Sequence, residues 1–509
     1  MPDILLTASF LALLADFRGV FTGPSFDNFL VLVSGMVHAM GSHRITDMLR
    51  AAGPAATKHF VTYYRFFSRG RWSLDEVGIV VLGLAMKLCG VSEVELVVDD
   101  TLCRRSGKKV ALGSMHADPL LSQGRHTFHS YGHVYVVLAV HVAAASVAAT
   151  GWALPVLFRL FEGSHKGGRK DAASDKRRTR ARRERGVKPR RRVRLTDRAV
   201  VDGQLRPCSP TADAGPVPDG LRPKKTELAA EMILLLARRF PLVKFRVLAD
   251  HLYNGRSVLH AVLSEVDNVS VITRGRPDAV LYDLPEPRQP GKRGRPRIKG
   301  RRLLSPQRWA EDNPDAFREV VVRMYGHDVP VLVASYLGMA YRSLPGRLLR
   351  YVIVKDPAGI YKTDYFICTD TALADSDIVA AYARRWPLEQ TFADCKQKLC
   401  LQSTQVQLPP SVRRQPPMMM LVYSLVVLWY LMHGHELADK LRLPPDPWYA
   451  GNPRPSFTTM LACLRRASWA DAILDPPLPT TIATEIPTAP AAERRARLAS
   501  YLARVVASG

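Results

Sequence analysis

VELVVDDTL, residues 94–102, is a run of β-branched and aliphatic residues that closes on two adjacent carboxylates, Asp99 and Asp100. The elements downstream of this run set the fold. GHVYVVLAVHV (132–142) and ASVAATGWALPVLFRL (145–160) read as two further strands. Beyond a basic stretch, TELAAEMILLLARRF (226–240) has helical apolar spacing, VKFRVLAD (243–250) reads as a strand, RSVLHAVLSEV (256–266) as a helix and VSVITRG (269–275) as a strand. Three consecutive strands followed by alternating helix and strand predict an α/β fold with a mixed sheet. Asp250 closes the fourth of these strands, with Gly255 close behind. Carboxylates at strand ends face the region where α/β sheets place their sites, although a turn or cap role would suit either aspartate.

The chain has 509 residues and carries 72 Lys and Arg against 46 Asp and Glu, a formal net charge of +26. The length predicts more than one structural unit, and 47% hydrophobic residues is ordinary globular content. So positive a chain repels itself when compact unless a polyanion neutralises it. Nucleic acid is therefore the leading partner, ahead of an anionic membrane surface. The cysteines (Cys89, Cys103, Cys208, Cys368, Cys395, Cys400 and Cys463) contain no C-x-x-C pair, which argues against a zinc ribbon or a disulfide scaffold and fits a reducing cytosol. The opening MPDILLTASFLALLADFRGVF has no basic region ahead of its apolar stretch and is not read as a secretion signal. MMMLVYSLVVLWYLM (418–432) is too short for a membrane span, and residues 134–160 are interrupted by His141, Ser146 and Gly151; both predict buried core and no membrane.

Upstream of the first strand the pattern is helical. Ser73 and Glu76 form a capping-box pair ahead of VGIVVLGLAMKLC (77–89), and residues 44–69 suggest two shorter helices split at Gly53-Pro54. Two stretches are too basic to bury. Residues 161–200 are dominated by arginine and read as a mobile loop or a phosphate-tracking surface. PRQPGKRGRPRIKGRR (287–302) is broken by Pro and Gly; Arg293 and Arg295 in its RGRP core suit a minor-groove arm, and a solvated or backbone-binding loop accounts for them as well. Between 317 and 370, FREVVVRMYG, VPVLVASYLG, RYVIVKDPAG and TDYFICTD alternate like antiparallel strands, predicting an extra sheet.

The next stretch, AYARRWPLEQTFADCKQKL (381–399), carries the third acidic candidate. On one ideal helix Tyr382, Arg385, Glu389 and Lys396 fall within about 60° of one another. Pro387 clashes with a continuous helix, so a kink or a restart with Pro387 at the first position is expected. A surface helix with an Arg385–Glu389 pair, worth about 0.3–0.5 kcal/mol, explains the pair but gives Tyr382 and Lys396 nothing to do. A polynucleotide-cutting site uses all four. Three carboxylates suit two divalent ions, Arg385 and Lys396 suit phosphates, and Tyr382 suits a sugar or a phosphate.

The spacing Y-x2-R-x3-E-x6-K, met in full here, resembles that of transposases of bacterial insertion sequences, the DDE superfamily with a ribonuclease-H-like catalytic domain. The likeness extends over roughly residues 25–435. The resemblance implies a metal-binding trio of Asp99, Asp250 and Glu389, with Asp100 as rival to Asp99. It implies two Mg²⁺ ions, with Mn²⁺ able to substitute. It further implies hydrolysis of phosphodiester bonds at element ends, then attack of the freed 3′-hydroxyl on target DNA. The expected partners are double-stranded DNA, as terminal inverted repeats and as target, and a second copy in a homodimer on DNA. The expected location is the bacterial cytoplasm, on the nucleoid. No serine or tyrosine nucleophile is needed, and a serine or tyrosine recombinase reading is poorer.

On this reading the chain divides into an N-terminal helical DNA-binding or dimerisation domain (1–90) and the first part of the ribonuclease-H-like catalytic domain with the basic loop (91–280). A β-rich insertion (281–372), final catalytic helices (373–435) and a loosely packed, proline-rich helical tail (436–509) complete it. His116, His126, His129, His133 and His141 fit no common zinc signature and read as ordinary loop and strand histidines, with His129 or His133 the two considered for DNA contact near Asp99. Trp386 suits a displaced base or plain core packing. The alternatives to an active transposase are a domesticated or inactive DNA-binding protein of the same fold, a nuclease without strand transfer, and a basic scaffold on RNA.

Overall fold

The computed structural model describes residues 4–90, 92–107, 110–122, 126–144, 147, 150–162, 222–287, 297–440 and 455–474. Most of the basic loop 161–200, together with Arg293 and Arg295, lies outside these. The mixed α/β expectation holds. Strands β1 (Glu93–Arg104), β3 (His129–Val142) and β4 (Trp152–Phe161) are antiparallel neighbours, and a short β2 (Ser114–Ala117) pairs with the start of β3. On the other side of β1 lie β5 (Lys244–Ala249) and β6 (Val269–Arg274), both parallel to it. Three antiparallel strands followed by two parallel ones is the ribonuclease-H-like core the sequence points to.

The strands from 317 onward do not make a separate sheet. β10 (Asp364–Cys368) pairs antiparallel with β6, and β9 (Leu349–Lys355), β8 (His327–Gly338) and β7 (Arg318–Met324) lie successively outward, giving one ten-stranded sheet among the described residues. Backbone pairing explains the difference, because β6 would otherwise present an unpaired edge.

Helices cover this sheet. The N-terminal segment folds as α1 (Ala8–Ala15), α2 (Gly23–His38), α3 (Ile45–Ala52), α4 (Phe60–Ser68) and α5 (Leu74–Cys89). Ser73 caps α5 by accepting from the Glu76 N–H, as the sequence pattern predicts. Apolar residues of α1, α2, α4 and α5 join the same continuous core as the strands. Arg414 donates to the carbonyls of Gly70 (2.8 Å) and Trp72 (3.1 Å), so the segment before α5 is held from the C-terminal side. Gly78 lies where α5 meets β4, and a Cβ there would stand 1.7 Å from the Val156 carbonyl oxygen. A backbone carbonyl cannot yield as a flexible side chain can. Gly78→Ala is therefore expected to destabilise the fold by about 3 kcal/mol or more, at the upper end of overpacking costs, seen as a lower thermal midpoint.

After β4 come α6 (Lys225–Arg239), a short α7 (Leu259–Leu263), α8 (Pro306–Asp312), α9 (Asp375–Ala383), α10 (Pro387–Lys398), α11 (Pro409–Trp429), α12 (His435–Lys440) and α13 (Phe457–Leu474). The helix expected over 256–266 shrinks to five residues in α7. The apolar run 418–432 lies in α11 and the turn after it; a window of 18 residues within the helical stretch Pro409–Leu437 is as apolar as a membrane span, yet 89% of it is buried within the fold. Part of the tail is also better packed than its proline content implies. α13 buries Met460, Cys463 and Leu464 completely, and Arg465 donates to the carbonyls of Val37 (2.6 Å) and Ala39 (2.8 Å) at the end of α2.

Candidate active site

The cleft arises from the length mismatch between β1 and β5. β1 pairs with β5 only as far as Val98↔Ala249, whereas its pairing with β3 continues to Arg104. Beyond Val98 one edge of β1 is open. Asp99 and Asp250 are the next residues of the two parallel strands, so they lie side by side where the strands part.

Alternation along β1 sends Asp99 and Asp100 to opposite faces. Asp99 turns to the helical break before α10, where Arg385 Nη1 donates to its Oδ2 at 2.9 Å. The other arm of the same guanidinium, Nη2, donates to Glu389 Oε1 at 2.7 Å. Asp100 instead pairs with Lys225 of α6 at 2.6 Å. Between the two candidate aspartates, Asp99 is therefore the one grouped with Glu389.

The helix of the Tyr-Arg-Glu-Lys motif restarts as the proline requires. α9 ends at Ala383, Pro387 occupies the first turn of α10, and Arg385 stands in the break between them. The single-face geometry is thus replaced by a bent one, and the bend lets Arg385 reach Asp99 and Glu389 together. Tyr382, at the end of α9, packs on Phe366 of β10 with ring centroids 4.6 Å apart, and the Arg385 guanidinium carbon lies 5.8 Å from the Tyr382 ring centre. Lys396 is half-buried and close enough for its charge to act on buried Cys103 of β1. Glu389 and Lys396 are seven helical steps apart, roughly 10 Å. Asp99 and Cys103 are four strand steps apart, roughly 13 Å. α10 therefore runs alongside β1 in the same direction, and Lys396 extends the site along the strand. Trp386 is not core packing: it is 46% exposed and meets Tyr325, in the β7–β8 turn, edge-on at 6.3 Å.

Sequence reading missed the second clamp on this break. Arg384 holds Glu95 with both arms, Nε to Oε2 and Nη2 to Oε1, each at 2.6 Å. Glu95 lies four residues before Asp99 on the same face of β1, so Arg384 and Arg385 fasten the break to one strand at two points. The signal was present as alternation, since Glu95 is a charged residue within an apolar strand. His133, considered for DNA contact, is buried and bonded to the Ala111 carbonyl at 2.9 Å, and burial lowers its pKa to about 4, so it is neutral and shielded from solvent.

Burial pushes the Asp99 carboxyl up to about 6, against the opposing pull of Arg385 and of the Asp100 N–H. In the unfolded chain an aspartate loses its proton near 4. The folded protein holds that proton more tightly, so ionised Asp99 opposes folding increasingly as pH climbs from about 4 through about 6. Asp99→Asn is expected to stabilise the metal-free protein at neutral pH by about 2–3 kcal/mol, two pKa units at roughly 1.4 each, and to have no such effect below about pH 4. Urea unfolding at the two pH values checks this.

All three carboxylates of the expected trio lie at one end of the sheet. Oxygen donors suit a hard divalent cation such as Mg²⁺. The Arg385 guanidinium places positive charge between two of them. As the side chains stand, no three acidic, His or Cys groups among the described residues converge closely enough to enclose a metal ion, because Arg385 fills the gap between Asp99 and Glu389.

A ribonuclease-H-like sheet with carboxylates at its parted strands defines a class, the nucleases that cut polynucleotides. Residues 17–328 match the family model described as DDE superfamily endonuclease. The chain belongs to that family. The match includes Asp99 and Asp250 and ends before Glu389. None of the curated proteins matches this sequence. Among solved structures, a piggyBac transposase synaptic complex with hairpin DNA, determined by cryo-EM, is 10% identical with a TM-score of 0.34, covering 96% of this chain and 84% of that chain. A likeness at that level carries no argument, and the family assignment rests on the sequence match.

Proposed function

We propose that this endonuclease is a DNA transposase of an insertion sequence. In this reading it hydrolyses phosphodiester bonds at the element ends and joins the resulting 3′-hydroxyls to target DNA. It works as a homodimer on DNA, in the bacterial cytoplasm on the nucleoid. The observation that carries the reading is the single guanidinium of Arg385 shared by Asp99 and Glu389, residues 290 positions apart in the chain, beside the strand end that bears Asp250.

Asp99, Asp250 and Glu389 would hold the divalent ions, two Mg²⁺ or Mn²⁺ in their place. Such ions supply Lewis-acid stabilisation of the attacking and leaving oxygens of an in-line displacement. The chain's own groups do the rest. Arg385 balances the carboxylates in the free protein and, on leaving them, offers its planar fork to a phosphate. Lys396 supplies a further positive charge along β1, where the strand backbone would run. Tyr382 is held against Phe366 with its ring beside Arg385, fixing the side on which that guanidinium lies. The net charge of +26 supports a polyanionic substrate.

The test uses the full chain, Mg²⁺ and a supercoiled plasmid carrying the DNA that flanks the gene. Cleavage at inverted repeats, with joined products in a second plasmid, is the expected result. Cleavage without joined products would replace the reading with that of a simple nuclease. No cleavage in Mg²⁺ or Mn²⁺ would replace it with that of a DNA-binding protein that has lost its chemistry.

A further inference from the structure

Arg274 closes β6 as Asp250 closes β5. The two strands pair in parallel to Ala249↔Thr273, so Arg274 and Asp250 are the next residues along adjacent strands. The turn bearing Asp250 hangs on the end of β6. Thr273 Oγ1 donates to the Asp250 carbonyl at 3.1 Å, and Asn254 Nδ2 donates to the Arg274 carbonyl at 3.2 Å. On its other side Arg274 pairs across the ladder with Phe366, the residue against which Tyr382 packs. Arg274 and Arg385 are therefore both close enough for their charges to act on Tyr382, and Asp250 is close to Arg274.

The Arg274 side chain is 49% exposed and paired with Asp364, itself 42% exposed. An ion pair this open to water contributes little, typically about 0–1 kcal/mol. A phosphate can therefore take the guanidinium from Asp364 at small cost. Nothing in the fold requires the pair, because β6 and β10 are already joined by their backbone ladder.

We propose that Arg274 is a further phosphate-binding residue of the site, gripping the DNA backbone on the Asp250 side of the cut while Arg385 and Lys396 serve the Glu389 side. This rests on the reading of the cleft as a DNA-cutting site. Asp364 is then a placeholder that keeps the fork oriented in the free protein and is displaced when DNA arrives. A planar bidentate donor suits that exchange better than a lysine point charge.

The probe is a fluorescein-labelled duplex of about 40 base pairs bound by the full chain over a series of KCl concentrations, together with plasmid cleavage in Mg²⁺. Arg274→Ala is expected to weaken binding and to reduce the slope of log K against log [KCl] by about one, the loss of one phosphate contact. Arg274→Lys should restore the slope while binding less tightly than the parent. Asp364→Asn should bind several-fold tighter, because it removes the competing carboxylate. Unchanged thermal midpoints for the three variants establish that each is folded. An unchanged slope in Arg274→Ala, or an Asp364→Asn variant that binds as weakly as Arg274→Ala, overturns the inference alone provided the parent binds and cuts. A parent that neither binds nor cuts overturns the reading of the cleft and this inference with it.

Discussion

Glu389→Gln is expected to lower metal-dependent DNA cleavage by about a thousandfold or more. The glutamine keeps the volume of the side chain and one carbonyl oxygen, so α10 and its packing on β1 stay intact. It removes one negative charge of three at the parted strands. Metal assistance to an in-line displacement is worth several kcal/mol, and about 4 kcal/mol corresponds to three powers of ten in rate. Duplex binding should persist or tighten slightly, since a carboxylate that repels phosphate has gone. Arg385 retains Asp99 as a partner. Single-turnover plasmid cleavage and duplex anisotropy measured on the same preparation separate the two effects. Cleavage at the parental rate would remove Glu389 from the chemistry and leave its bond to Arg385 as a local helix contact.

The largest stability effect is expected at Arg159 of β4, which stands in register with Asp100 across β3. Its guanidinium meets Asp75 of α5 with both arms, at 2.7 and 2.9 Å, and Glu231 of α6 through Nε at 2.8 Å. The side chains of all three are at most 15% exposed. Arg159 stays charged: burial opposes its charge, but the two carboxylates outweigh burial and raise its pKa. Arg159→Ala leaves two carboxylates facing each other in a dry interface, and breaking a buried pair in this way costs about 3–5 kcal/mol. Because the triad joins β4 to α5 and α6, the loss should appear in urea unfolding of the whole chain. Adding Asp75→Asn and Glu231→Gln to Arg159→Met should recover most of it, because the penalty comes from stranded charge. A loss under about 1 kcal/mol in Arg159→Ala would mean that water reaches the carboxylates.

The cleft was legible in the sequence to different depths. Asp99 and Asp250 announced themselves because each follows an apolar run, and Glu389 because a fixed spacing of Tyr, Arg, Glu and Lys surrounds it; β1 in fact runs on past Asp99 to Arg104. The restart at Pro387 was legible too, since proline geometry is local. The consequence of the restart was not: a bend that frees Arg385 to join Asp99 and Glu389 depends on where β1 lies. Glu95 and Arg384 went unread for the same reason, being 289 residues apart. Arg274 carried only a weak mark, a basic residue at the end of a strand whose neighbour is known only from the fold.

Local chemistry thus determined what the chain states about itself: the order of strands and helices, the capping at Ser73, the break before Pro387, the charge that favours a polyanion and the types of residue able to bind it. Tertiary structure decided which strand edges found partners, drawing the insertion strands into the main sheet and α13 into the core. It also decided which of two adjacent aspartates shares a guanidinium with Glu389. Propensity and periodicity act over a few residues, whereas pairing and burial depend on surfaces brought together from distant parts of the chain.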